Sequence, residues 1–130
     1  MNFNVNQKDL QSSLNYCQGV IEKRSTLPIL SNVLLEAKDE NLKITATDLD
    51  LIFIQNISNI EISEEGETTT SCSIMYDIVR KFNNEKKINF NLVSENKINL
   101  ESDKSSFNLN CLKASEFPIT EANLEKMNFH

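Results

Sequence analysis

Two apolar stripes at helical spacing, each set among short alternating segments in the same order, leave this chain very few folds. Leu10, Leu14, Cys17 and Ile21 recur at i, i+4, i+7 and i+11, which marks one face of a helix from Gln7 to Glu22, with Gly19 weakening its last turn. Met75, Ile78, Val79 and Phe82 mark a second helix, starting near Ser73. Before the first stripe, Phe3 and Val5 alternate with polar neighbours. After it, Val33, Leu35 and Ala37 alternate, then Leu42, Ile44 and Ala46, then a segment from Leu49 to Ile57. The order then restarts. Thr68–Thr70 precedes the second stripe, and Ile88, Phe90 and Leu92, then Ile98 and Leu100, then Phe107, Leu109 and Cys111 follow it. The chain reads strand–helix–strand–strand–strand, twice. Identity between the halves is poor beyond a shared Glu-Asn turn, Glu40-Asn41 and Glu95-Asn96, so the repeat is one of element order. About eight antiparallel strands and a pair of helices predict an α+β domain with both helices on one side of the sheets. Each helix then keeps a polar face turned away from the sheet.

With only 2 glycines and 2 prolines, the turns fall to Asn, Asp, Ser and Glu. Glu61, Glu64, Glu65 and Glu67 around Gly66 read as a solvated acidic loop. At 130 residues a single domain with a real core is the expectation. No apolar run approaches the roughly 18 residues that span a bilayer. Met1 to Val5 does not combine a basic region with an apolar stretch, so the expected location is cytoplasmic, with no membrane partner. The 3 cysteines, Cys17, Cys72 and Cys111, are far apart in sequence and carry apolar neighbours; they predict buried reduced thiols rather than a disulfide or zinc framework.

The residues offer little chemistry. The 1 histidine, His130, is the last residue, where termini fray. No phosphate-binding glycine loop, nucleophile elbow or zinc-helix motif occurs. Asp48 and Asp50 flank Leu49 and can share a face, but turn capping suits them better than metal or acid–base work. The sequence therefore predicts no catalytic residue, no metal and no cofactor. A net charge of −6 disfavours a tight, sequence-reading nucleic-acid binder. It leaves room for a protein that touches phosphates on one face and is acidic elsewhere. Lys23-Arg24 follows the first helix and Arg80-Lys81 ends the second. Such pairs suit a helix C-terminus, where cations meet the negative end of the dipole, and they equally suit a phosphate-facing surface, with Lys8 joining from the first helix.

Five segments in order carry a family resemblance: Thr26-Leu27-Pro28-Ile29-Leu30, Thr45-Ala46-Thr47-Asp48-Leu49-Asp50, Asp77-Ile78-Val79-Arg80-Lys81, Ser106-Phe107-Asn108-Leu109 and Glu116-Phe117-Pro118. Together they resemble the first domain of the bacterial DNA sliding clamp, the beta subunit of DNA polymerase III, over essentially the whole chain. The resemblance implies the DNA-clamp fold and a non-catalytic processivity factor. Such a protein is a head-to-tail homodimer with three domains per subunit that encircles duplex DNA without reading sequence. Residues 1–126 would form the first domain, and Met127 to His130 would open a strand of a second. Polymerase and clamp loader would bind through domains that lie beyond this chain. The family's basic channel positions match Arg24 and Arg80, while Lys8, Lys23 and Lys81 join them on geometry. The dimer interface would fall on the last strand, through Phe107 and Leu109 with Lys104 beside them. The strand from Asp50 to Ile57 would be the opposite edge, facing the second domain. Two other readings stand beside this one: a small α+β protein-interaction domain using an exposed sheet edge, and a hydrolase using Asp48 and Asp50.

Overall fold

A computed structural model describes residues 1–21 and 28–118. The strands are β1 (Asn2–Asn6), β2 (Asn32–Lys38), β3 (Asn41–Thr47), β4 (Ile52–Ile57), β5 (Glu61–Glu64), β6 (Gly66–Ser71), β7 (Lys87–Ser94), β8 (Lys97–Ser102) and β9 (Ser105–Leu112). The helices are α1 (Gln7–Gln18), between β1 and β2, and α2 (Cys72–Val79), between β6 and β7. The expected α+β order is present, with one strand more than the sequence suggested.

Several boundaries move, each for a local reason. The first helix stops at Gln18, because Gly19 takes over with single-turn bonds to Cys17 and Tyr16 rather than extending it. Glu22, its expected end, lies outside the described residues. The fourth strand begins at Ile52, not Leu49, because the intervening residues are folded into a tight loop. The acidic stretch is not a loop. Its backbone is paired as β5 and the start of β6, while the Glu61, Glu64, Glu65 and Glu67 side chains stay in solvent. Gly66 lies on a strand and sits there because a Cβ would fall 2.8 Å from that of Met1. The β2–β3 turn runs through Asp39 and Glu40, at φ 52° and 63°, as a primed two-residue hairpin turn requires.

The strands run in the order β4-β3-β2-β6-β9-β8-β7-β1-β5. The opening strand of each half pairs with the other half: β1 with β7, and β6 with β2. A flat sheet of this width would set its end strands roughly 38 Å apart. Yet β4 and β5 are joined by the short link 58–60, a reach of no more than about 14 Å from Ile57 to Glu61. The sheet must therefore curl until its ends approach. At the opposite corner β9 does alone what β4 and β5 share. Its residues Ser105–Asn110 pair with β8, and its last two, Cys111 and Leu112, pair with β6.

One core fills the space between the curled strands and the helices. Leu10, Leu14 and Cys17 of α1 and Met75, Ile78 and Val79 of α2 enter it, with Phe3 stacked on Phe90 at 4.8 Å between ring centroids. The helices pack against each other across it. A second, smaller core lies on the other face of β2. There Phe117 covers Leu34, flanked by Ile29, Ile52 and Ala114. Two-sided burial explains why Asn32 to Leu35 at the start of β2 are all buried, with Leu34 as well as Val33 and Leu35 covered.

Candidate nucleic-acid interface

The exposed side of α1 carries Lys8, Gln11, Ser12 and Asn15, at the i, i+3, i+4, i+7 spacing of one stripe. Gln7, at the start of the helix, is buried, and its amide Nε2 donates to Gln11 Oε1 at 2.8 Å and to the Val79 carbonyl at 2.8 Å. The backbone N–H of Gln7 donates to Lys86 O at 3.1 Å, so the start of α1 is also tied to the segment that leads from α2 into β7. From α2, the Tyr76 hydroxyl donates to Asn15 Oδ1 at 3.3 Å. An open hollow of about 320 Å³ lies between the helices, with the α1 stripe and Tyr76 among its walls.

Of the expected basic residues, Lys8, Arg80 and Lys81 are exposed. Lys8 and Tyr76 border the same hollow, and the Arg80 guanidinium sits 5.0 Å above the Tyr76 ring. Lys8 and Arg80 are thereby brought to one helix face from opposite halves of the repeat. Arg80 is also bonded to Asp77, Nη2 to Oδ1 at 2.9 Å, which offsets part of its charge. Lys23 and Arg24, and the Thr26-Leu27 part of the first motif, lie outside the described residues. The amides of Gln11 and Asn15 escaped the sequence reading. Their spacing from Lys8 was the available signal, but nothing local says that a tyrosine from the other half closes the same hollow.

The last strand differs in part from expectation. β9 is not a sheet end, since β6 covers its last two residues, but among the described residues Ser105–Asn110 has no strand on its second side. Leu109 faces the core at 6% exposure, and Phe107 packs edge-on against Phe82 at 5.6 Å. The outward positions of this strand are Ser106, Asn108 and Asn110, while Lys104 sits exposed in the β8–β9 turn. Exposed Ile74 of α2 borders the cleft along Asn108 to Leu112. β4 lies at one end of the strand order, as the sequence suggested.

The Asp48–Leu51 loop is a capping structure. Asp48 Oδ1 accepts the N–H groups of Asp50 at 2.9 Å and Leu51 at 2.7 Å. Buried Thr47 accepts the N–H of Leu49 at 3.0 Å and donates to the Leu51 carbonyl at 2.7 Å. These bonds hold Leu49 at φ 82°, a costly setting for a branched side chain. Among the described residues no three His, Cys, Asp or Glu side chains gather as a metal-binding group. Nor is any helix there long and apolar enough to cross a membrane. The Cys17, Cys72 and Cys111 thiols are free and buried; burial pushes Cys17 and Cys72 up to about 12.

The family described as DNA polymerase III beta subunit, N-terminal domain, matches residues 1–121. A protein named beta sliding clamp from Pseudomonas aeruginosa is 33% identical over 129 residues, 99% of this chain and 35% of the relative. Its counterpart from Escherichia coli K12 is 33% identical over 118 residues, 91% of this chain and 32% of the relative. A crystal structure of the P. aeruginosa sliding clamp bound to griselimycin superposes with a TM-score of 0.86 at 32% identity, covering 93% of this chain and 32% of that one. Caulobacter crescentus pol III beta gives 0.86 at 32% identity, over 95% of this chain and 33% of that one. A sheet-rich domain with a two-helix face and this match along its length is a clamp domain. The chain belongs to the bacterial DNA polymerase III beta subunit family, as its N-terminal domain. It spans about a third of the length of the curated relatives it matches.

Proposed function

We propose that this domain acts as the first segment of a ring-shaped processivity factor that holds DNA polymerase III on duplex DNA. Its task is topological and it performs no chemistry. The end-to-end match to sliding clamps, in sequence and at a TM-score of 0.86, carries the reading. In the assembled ring the α1–α2 face turns toward the duplex, and Arg24, Arg80, Lys8, Lys23 and Lys81 meet its phosphates. The open side of β9, the strand bearing Phe107 and Leu109 with Lys104 at its turn, joins the third domain of the other subunit in a head-to-tail homodimer. The β4 edge faces the second domain of the same subunit. Polymerase and clamp loader engage the parts beyond this chain, and the protein works in the cytoplasm without cofactor or metal. Residues 1–126 form the domain, with 127–130 leading into the next.

A fixed ring that slides needs few, weak contacts blind to base identity. The described helix face fits, since Arg80 already shares its charge with Asp77. The hydrolase alternative loses ground because Asp48 is engaged in capping its own loop. DNA titrations against salt provide the test. Duplexes of different sequence should bind equally weakly, with log K falling by about 0.9 per log unit of salt for each phosphate neutralised. Arg80→Ala should weaken all of them alike and flatten that slope. A duplex-dependent loss in Arg80→Ala means base readout and overturns the proposal.

A further inference from the structure

The geometry points to a neutral phosphate seat in the hollow between α1 and α2: the amide NH2 groups of Gln11 and Asn15, with the Ser12 hydroxyl, donate to one phosphodiester of the DNA backbone. This rests on the reading of the helix face as the side turned to DNA. It assigns the contact to uncharged groups rather than to the basic residues.

The orientation of the amides carries the inference. The Val79 carbonyl can only accept, so the Gln7 atom bonded to it at 2.8 Å is the nitrogen. That same nitrogen donates to Gln11 at 2.8 Å, so the Gln11 atom facing inward is its oxygen. The Gln11 NH2 group is left pointing away from the pair. Asn15 Oδ1 accepts the Tyr76 hydroxyl at 3.3 Å, which leaves its NH2 group over; since that hydroxyl can also accept, the forced orientation is that of Gln11. Among the described residues neither NH2 group has an acceptor. Gln11 and Asn15 stand one helical turn apart on one stripe, Ser12 lies between them, and all three border one open hollow. Two amides with their donors outward, the Gln11 oxygen pinned inward by Gln7, form a surface that seeks an acceptor. On a DNA-facing side the acceptor at hand is a phosphate oxygen. The Gln7 carbonyl oxygen, buried and without a partner, is itself an acceptor and repels phosphate, so the ligand sits against the wall formed by the α1 stripe rather than at the Gln7 end.

Neutral donors suit a sliding ring for a physical reason. A hydrogen bond to phosphate from an amide releases no counterion, so it adds little to the salt slope. It is also shallow enough to exchange between successive phosphates. Lys8, on the rim of the same hollow, supplies the long-range attraction.

The two kinds of contact separate in a salt titration of this 130-residue chain with a mixed-sequence duplex, followed by fluorescence anisotropy from low to moderate salt. Gln11→Ala with Asn15→Ala should lower affinity about fivefold at every salt concentration and leave the slope unchanged. Lys8→Ala should reduce the slope by about 0.9. If the double variant melts early, Gln11→Met replaces it, since that change keeps the length of the side chain and removes the amide without adding a charge; it too should lose binding at an unchanged slope. Full affinity in both Gln11 variants overturns the neutral seat while the DNA-facing reading stands. A wild-type chain that binds no duplex at low salt overturns the DNA-facing reading itself.

Discussion

At the scale of single residues, burial decides what the polar and ionisable groups do. Cys17 and Cys72 sit where the helices meet the core, Cys72 with its sulfur 4.0 Å from the Leu14 carbonyl. Desolvation holds both thiols protonated, from a usual 9.0 up to about 12. Above pH 9 the unfolded chain releases these protons while the folded chain keeps them. The folded state then binds more protons, and stability falls as pH rises from 9 toward 12. Each thiol accounts for a loss on the order of 1 kcal/mol per pH unit in that window. Urea midpoints at about pH 8 and about pH 10.5 measure this, and the Cys17→Ala, Cys72→Ala variant should show the smaller drop. An equal drop in both would mean that the thiols are not the groups responsible. The same buried thiols should resist modification by thiol reagents near pH 8, since the thiolate is the reacting form.

At the scale of elements, the short segment after β9 does more than end the domain. Lys113 N–H donates to Glu116 Oε2 at 3.1 Å, and Phe117 N–H donates to the Ala114 carbonyl at 3.0 Å. This turn swings Phe117, 2% exposed, onto Leu34 and Ile52 across the outer face of β2. Phe117→Ala should cost about 3 kcal/mol, the usual loss for a buried phenylalanine. Hydrogen exchange should rise first in β2 and β4, where the small core sits, before it rises in the helices. Uniform destabilisation, with no early loss of protection at Leu34 and Ile52, would mean that the small core has no separate role.

At the scale of the whole molecule, the curled sheet has, among the described residues, unpaired strand sides at β4, at β5 and along part of β9. Open strand sides recruit other chains. The chain should be monomeric when dilute and should associate as concentration rises. The N–H of Cys111 donates to Asn96 across the β8 side, and the carbonyl of Asn110 accepts from Thr70 on the other side. By strand alternation the backbone N–H of Asn108 points to the open side, away from β8. Asn108→Pro removes that donor and spares the β8–β9 backbone ladder, at the loss of one exposed side-chain bond, Asn99 Nδ2 to Asn108 Oδ1 at 3.0 Å. It should leave the melting temperature close to wild type and shift the association to higher concentration in analytical ultracentrifugation. Unchanged association would assign the contact to β4 or β5 instead. Leu109→Asp is a poor substitute, because it would place a carboxylate in the core.

Because a side chain's face depends only on the local repeat of the backbone, periodicity alone was enough for the helix stripes and for the order and inward face of the apolar strands, though not for β5. The turns at Asp39-Glu40 and Glu95-Asn96 were legible from their Asp, Glu and Asn residues, and the family from the resemblance that the five motifs carry. Partner choice was not, because it is settled between residues far apart in sequence. The exchange of β1 and β6 between the halves depends on long-range pairing, as do the pairing of the acidic stretch as β5 and the split of one strand's role between β4 and β5. So does the fate of Phe107 and Leu109. Their alternation marks an apolar face, but only the curl of the sheet decides that this face looks into the chain's own core. The hollow between the helices is tertiary in the same sense. Lys8, Gln11 and Asn15 come from one half and Tyr76 and Arg80 from the other, and the core beneath the two helices brings them together.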